Sequence, residues 1–358
     1  MDLLDYFYEL RPRNDLYHPR KLQLPEQGSF RLYGARGTGK TARILEWLRN
    51  LPPESWLYLD AQDPIFATED TDASTLERYL VQEGIETLVI DHWYEGFLDR
   101  LPQARRLVLV SRIASAKIKL PAYELFPLDY EEFLGLDRSH SPSATFNRYL
   151  RAGTLPSVAR SPVGSAPLKL RELFYEKFDE QESRLLLILA KFQGRRVTTH
   201  QIYTHAREYF RISKDWTYAT IKRWIEERVI FLLDDLRRGS GKKLIVYDFV
   251  LTRYLHKLQP FTVTFDSMVA LALIKHGLPF KSVGNLGYLL EKERRLVVPA
   301  PFEGEEQFWR KAQSRYGAFR AGGAEKIVVV TVSNLFEFDI GDLHFEALPF
   351  YEWSILND

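Results

Sequence analysis

Short apolar runs alternate with helix-length segments over the first third of the chain. "FRLY" (30–33), "WLYL" (56–59), "TLVI" (87–90), "RLVLV" (106–110) and "YELF" (123–126) are too brief for helices and are apolar nearly throughout. Runs of that kind, spaced by helical patterns, predict a parallel sheet buried on both faces with crossover helices. Ahead of them, residues 1–25 contain Pro12, Pro19 and Pro25 and read as a leader with a short amphipathic helix at 3–10. A Pro/Gly/Ser-rich stretch, "AGTLPSVARSPVGSAP" (152–167), breaks the rhythm and predicts a domain boundary.

Residues 168–257 change period. Apolar residues recur at helical spacing in "SRLLLILAKF", and "WTYATIKRWIEERVIFLL" places Tyr218, Ile221, Ile225 and Val229 on one face. The segment closes in a hairpin-like pair, "VIFLLDDL" and "KLIVYDF", around a Gly/Ser tip. From about 260 to 358 helix and strand mix: a helix around "SMVALALIKHG", strands in "YLLEKERRLVV" and "KIVVVTVS", and the helix "EEQFWRKAQSRYGAF" between them. The expected layout is α/β: a leader (1–25), a parallel-sheet domain (26–160), a winged-helix domain (168–257) and a small α/β domain (260–358).

Between the first strand and the next helix lies "GARGTGKT": Gly34, Ala35, Arg36, Gly37, Thr38, Gly39, Lys40 and Thr41. This G-x-x-x-x-G-K-[ST] spacing predicts a phosphate-binding loop. Its glycines let backbone N–H groups curl around phosphate oxygens, Lys40 reaches the terminal phosphates and the Thr41 hydroxyl ligates Mg²⁺. ATP and Mg²⁺ are therefore the expected ligands. "TLVIDHWYEG" supplies a matching metal-side aspartate, Asp91, with Asp60 after "WLYL" as competitor. "RLVLV" ends in Ser111 and Arg112, where a polar sensor of the terminal phosphate is expected.

Many ATPases place a water-activating glutamate directly after the metal aspartate. Here that residue is His92, and the nearest carboxylate, Glu95, lies one turn further on if a helix starts at His92. Lys40, Asp91 and Glu95 are the expected catalytic set, and hydrolysis is expected to be slow, a switch more than a motor.

The formal net charge is only +1 over 358 residues, but it is segregated. Residues 183–257 hold 16 Lys/Arg against 7 Asp/Glu, near +9, which leaves the rest near −8. Such segregation is the footprint of a nucleic-acid-binding module. Lys222 and Arg223 on the helix and Arg237, Arg238, Lys242 and Lys243 around the hairpin tip are the candidate DNA contacts. A solvated basic surface that packs on the acidic ATPase domain, or binds protein, is the competing reading, supported by Glu226 and Glu227 on the same helix. The chain has no cysteine, which excludes disulfides and thiolate metal sites and fits a cytoplasmic location. No run approaches the roughly 18 apolar residues of a membrane span, and the start lacks a signal-peptide pattern.

Several segments in order, "GARGTGKT", the "VID" strand end, "ELFPLDYEEFL", "YLRAGTLPSV" and "KKLIVYDFVLTRYL", make the chain resemble a known group. It is similar to the bacterial and archaeal AAA-type ATPases that carry a winged-helix domain and a C-terminal restriction-endonuclease-like domain. Two positions depart from that pattern: His92 replaces the glutamate, and Gly153-Thr154 stands where the family has Gly-Gly. The resemblance implies a P-loop ATPase sheet with helices on both faces, followed by the two smaller domains. An arginine finger would require a dimer or ring, with Arg148 and Arg151 as candidates. The family's nuclease motif, an aspartate on one strand and glutamate-x-lysine on the next, is not met. Asn285 and Gly287 fall at the first position and Pro299, Ala300 and Pro301 at the second, while Glu291 and Glu293 lack the lysine. The last domain is expected not to cut DNA. The alternative to a nucleotide-switched DNA-binding protein is a signalling or defence scaffold whose winged helix meets protein.

Overall fold

A computed structural model describes residues 3–12, 19–136, 141–237, 239, 241–320 and 322–356. The chain divides into two compact units, Met1–Pro127 with Glu226–Arg228, and Leu128–Ile225 with Val229–Asp358. Among the described residues no helix is long and apolar enough to cross a membrane.

The first unit runs α1 (Leu3–Leu10), β1 (Phe30–Tyr33), α2 (Lys40–Leu48), β2 (Trp56–Asp60), α3 (Ala73–Gln82), β3 (Thr87–Asp91), β4 (Arg106–Ser111) and β5 (Ala122–Glu124). All five strands are parallel, in the order β2-β3-β4-β1-β5. Side chains alternate between two apolar layers. Leu88 and Ile90 of β3 join Leu57, Leu59, Leu107 and Leu109 under α1 and α3, and Val89 joins Phe30, Leu32, Val108 and Val110 under α2. The fold is an α/β sheet flanked by helices, compatible with a P-loop architecture. Residues 1–25 are no detached leader in their described part. Leu4 and Phe7 enter the core, Leu24 is buried, and Arg20 donates to the carbonyl of Thr38 at 2.9 Å.

The second unit opens with α4 (Tyr130–Leu134), α5 (Pro142–Ala152), α6 (Pro156–Ala159), α7 (Ala166–Lys177) and α8 (Glu180–Lys191). The division at Pro127 precedes the expected boundary, and the Pro-rich stretch is ordered helix and turn. Pro156 and Pro167 sit in the first turns of α6 and α7, where a missing N–H costs nothing. Next come β6 (Arg196–Val197), α9 (Thr199–Tyr209), α10 (Lys214–Glu226), β7 (Ile230–Leu233) and β8 (Lys242–Val246), with the sheet ordered β6-β8-β7 and antiparallel. The buried face of α10 is Thr217, Thr220, Ile221 and Trp224, so it is rotated from the expected one, and Tyr218 is exposed. The Thr217 hydroxyl donates to the Ser213 carbonyl, which lets a polar side chain face the core.

The chain ends with α11 (Phe249–Leu255), α12 (Phe261–Lys275), β9 (Lys281–Val283), β10 (Gly287–Leu290), β11 (Arg295–Pro299), α13 (Glu305–Ser314), α14 (Tyr316–Arg320), β12 (Lys326–Thr331), β13 (Phe336–Ile340), β14 (Leu343–Pro349) and α15 (Phe350–Leu356). Strands β9 to β11 form an antiparallel meander, and β11, β12 and β14 are parallel. Glu291 to Glu293 form a 3₁₀ turn between β10 and β11 rather than continuing a strand.

Within this unit the carboxylate of Asp248, fully buried, ties two distant segments. It caps α11 by accepting from Leu251 N–H at 2.6 Å, and it accepts from the Thr154 N–H at 2.7 Å and hydroxyl at 2.6 Å. Thr154, where a second glycine is expected, thus has a structural reason. Its hydroxyl adds a donor that glycine lacks.

Candidate nucleotide site

In a parallel sheet every strand points its carboxyl end to the same edge, and ligands bind there. That edge gathers Tyr33 of β1, Asp91 of β3 and Ser111 of β4, with Tyr33 opposite Ser111 in register. The loop 34–39 leaves β1 at this edge and leads directly into α2. Gly39 caps α2 at φ 89° with no side-chain cap, which suits a loop whose backbone donors face an anion. Gly34 has no room for a side chain, because a Cβ there would lie 2.3 Å from the Leu125 carbonyl oxygen. Lys40 Nζ donates to the carbonyls of Gly34 (2.9 Å) and Ala35 (2.8 Å), so its charge already sits inside the loop's curl. Thr38 donates to the Ala35 carbonyl at 3.0 Å, and Thr41 lies in the first turn of α2.

Arg36 is 4% exposed and forms an ion pair of 3.1 Å with Glu227, itself 4% exposed. Beside this pair, Arg228 takes a left-handed φ of 60° and reaches Glu124 at 2.9 Å; Glu124 also accepts from the Tyr33 hydroxyl at 2.9 Å. Burial, followed by the hydrogen bond to Glu124, raises the Tyr33 pKa above its usual value.

Asp91 is 1% exposed. One oxygen accepts the His92 N–H at 2.7 Å, and the other accepts the Tyr58 hydroxyl at 2.8 Å. Burial and the Asp91 charge push the Tyr58 pKa far up, so Tyr58 remains a donor. Asp60 stands directly beside Asp91 in register, and its Oδ1 lies 2.7 Å from His92 Nδ1. That hydrogen bond is the main reason the His92 pKa is raised.

The structure brings Lys40, Thr41, Asp91, Ser111 and Arg112 to one sheet edge but not Glu95. No helix starts at His92; the residues after Asp91 are turns and bends, and Glu95 is exposed and paired with Lys117. The Ser111 hydroxyl donates to the Ile113 carbonyl at 2.7 Å. Arg148 and Arg151 belong to α5 in the second unit, where Arg148 donates to the Ala159 carbonyl. Sequence reading missed Tyr58 and Arg20 and did not pair Arg36 with Glu227 or Asp60 with His92, since only strand register and long-range packing reveal those partners.

The candidate DNA residues are unequal. Lys243 is 4% exposed and paired with Asp266 at 2.8 Å, which removes it from any phosphate contact. Arg223 pairs with Glu182 at 2.6 Å and Lys242 with Asp234 at 2.9 Å, although both basic side chains are exposed. Lys222 and Arg237 are exposed, and Arg238 lies outside the described residues. No protein-family model matches the chain, and no curated protein matches it.

Proposed function

We propose that this chain is an AAA-type, ATP-binding P-loop protein, a slow ATPase whose nucleotide state governs DNA binding through a winged-helix module. The observation that carries the reading is the loop Gly34–Thr41 at the carboxyl edge of a parallel sheet, with a buried aspartate ending a nearby strand. The residues suit Mg²⁺–ATP. Lys40 would meet the terminal phosphates, the loop and α2 N–H groups would cradle them, and Thr41 with Asp91 would hold the ion. Among the described residues no three His, Asp or Glu side chains cluster as a cage, so Mg²⁺ would arrive with the phosphates, its usual mode. When bound, Mg²⁺ would supply positive charge beside the terminal phosphates.

The order α8, β6, α9, α10, β7, β8 follows that of a winged helix, with α10 as the helix that would enter a groove. Exposed Lys222 and Arg237 support DNA contact. The paired state of Lys242, Lys243 and Arg223 favours the second reading, a protein-binding scaffold in signalling or defence, at those positions. The order α12, β9–β11, α13, β12 fits a nuclease-like core without a metal site. A Cβ at Gly287 would lie 2.1 Å from the Val297 carbonyl oxygen, and Pro299, Ala300 and Pro301 offer no ligand.

Calorimetry with Mg²⁺–ATP tests the first claim: the wild-type chain binds, and Lys40→Ala loses binding or nearly so. Equal affinity of the two would overturn the loop assignment. A salt titration of duplex DNA binding tests the second, since phosphate contacts give a steep loss with salt.

A further inference from the structure

We propose that the junction of α8 and α9 binds single-stranded nucleic acid, with a base stacked on Tyr209 and phosphates held by the cations of the two helices. This surface is built from other residues than the α10 and hairpin face argued above for duplex DNA, and it does not depend on that reading.

The positive charge of this part of the chain is unevenly placed. Residues 184–214 carry seven Lys/Arg against one carboxylate, Glu208, whereas residues 215–257 carry nine against six. Most of the excess therefore belongs to α8, α9 and the segments beside them, not to α10 and the hairpin. Arg184 pairs with Glu180 and Arg196 with Asp235, but among the described residues Lys191, Arg195, Arg207, Arg211 and Lys214 have no ion-pair partner. The one carboxylate, Glu208, pairs with His205 at 3.1 Å. Unpaired cations at that density attract a polyanion.

Aromatic rings run through the same ground. α9 buries Ile202 and Ala206, which leaves His205 and Tyr209, four residues apart, on a flank that meets the end of α8. There Phe192 meets His205 (ring centroids 5.4 Å apart), His205 meets Tyr209 (5.2 Å) and Tyr209 meets Phe210 (6.3 Å). Lys191 Nζ stands 3.8 Å from the centre of the Tyr209 ring, and the Arg184 guanidinium lies 5.7 Å from that of Phe210. Tyr209 is 55% exposed, so its ring keeps open surface even with Lys191 above it. The part-buried Phe192, His205 and Phe210 hold it in place.

Charge alone suits an acidic peptide or a duplex equally well. The exposed ring decides between them. A base offers a flat π-face that stacks on tyrosine whatever its identity, and only an unpaired strand has that face free. In a duplex the faces are stacked on one another, and a run of Asp and Glu has none. Cations beside an open aromatic ring are the two parts of a single-strand site.

Fluorescence anisotropy of the full chain with labelled oligodeoxythymidylate and oligouridylate of about 12 nucleotides tests the site. Base-dependent binding of either supports it, and the tighter of the two identifies the strand as DNA or RNA. Tyr209→Ala should weaken binding about tenfold, the scale of one lost base stack, while Tyr209→Phe keeps it. Lys191→Ala should lower the salt slope by about 0.7, one phosphate contact on a single strand. An abasic strand of equal length should bind the wild type at least about tenfold more weakly than the base-bearing one. Duplex DNA should bind the wild type and Tyr209→Ala alike. Equal affinity for abasic and base-bearing strands would overturn the proposal and leave a general polyanion surface, as an acidic-peptide partner requires. Unchanged single-strand affinity in Tyr209→Ala, or no binding of either strand, would overturn it as well. Absence of duplex binding with the single-strand results intact would remove the α10 reading and leave this one standing.

Discussion

Asp248→Ala should destabilise the second unit severely. The wild-type carboxylate is fully buried and accepts hydrogen bonds from Leu251 N–H, Thr154 N–H and the Thr154 hydroxyl at 2.6 to 2.7 Å. The hydroxyl can rotate toward another acceptor, but the two amides cannot, and each buried donor left without a partner costs about 1–3 kcal/mol. Removing the carboxylate also removes its own burial cost, so a net loss of about 3 kcal/mol is expected, a large part of the roughly 5–15 kcal/mol that holds a domain together. Guanidinium unfolding followed by tryptophan fluorescence, with the fully buried Trp224 as reporter, measures it. A loss below about 1 kcal/mol would refute the reasoning, since an unmet buried donor alone costs that much. A pH profile checks the same site independently. Burial outweighs the three hydrogen bonds and raises the Asp248 pKa above its ordinary value. The folded chain then holds this proton more tightly than the unfolded one. The group's contribution is complete below the unfolded pKa and is lost as pH rises through the folded value. Asp248→Asn should flatten that part of the profile.

Glu227→Ala removes one partner of a buried ion pair with Arg36 and should cost about 3–5 kcal/mol of stability; guanidinium unfolding at wild-type stability would refute it. Glu95→Gln should turn over ATP at the wild-type rate, because Glu95 lies on the surface beside Lys117; a fall in kcat would return it to the mechanism. Replacing Arg237, Arg238 and Lys242 together by Ser should weaken DNA binding across sequences and reduce the salt slope by up to about three units. An unchanged slope in a fluorescence-anisotropy titration would move the DNA contact elsewhere.

The sheet of the first unit was legible because its strands are buried on both faces, which writes each one as a continuous apolar run. The candidate loop 34–41 stood out because phosphate chemistry demands a fixed spacing within eight residues, and its place between β1 and α2 is as expected. What could not be read is what depends on distant partners. Asp60 and His92 meet through strand register, and Arg36 finds Glu227 across 191 positions. The face of α10 was misread because Thr217 and Thr220 point inward, one with its hydroxyl tied to backbone. Prolines misled at 156 and 167, since proline punctuates a chain only when it is not opening a helix.

The strand that leads into the loop 34–41 is completed late. β1 pairs with β4 and β5, whose partner residues lie 78 and 91 positions further along (Phe30 with Val108, Arg31 with Ala122); Arg31 donates to the carbonyls of Ser115 and Leu120; and the carbonyl of Leu125 fills the space over Gly34. On the ribosome this means that the loop 34–41 is synthesised early yet cannot close until residue 125 has left the exit tunnel. The Arg36 clamp waits for residue 227. At the usual 5–20 residues per second the loop spends about 4 to 20 seconds as unstructured chain. For that interval the apolar strands of the sheet stand unpaired, the state in which a nascent chain misassociates most readily.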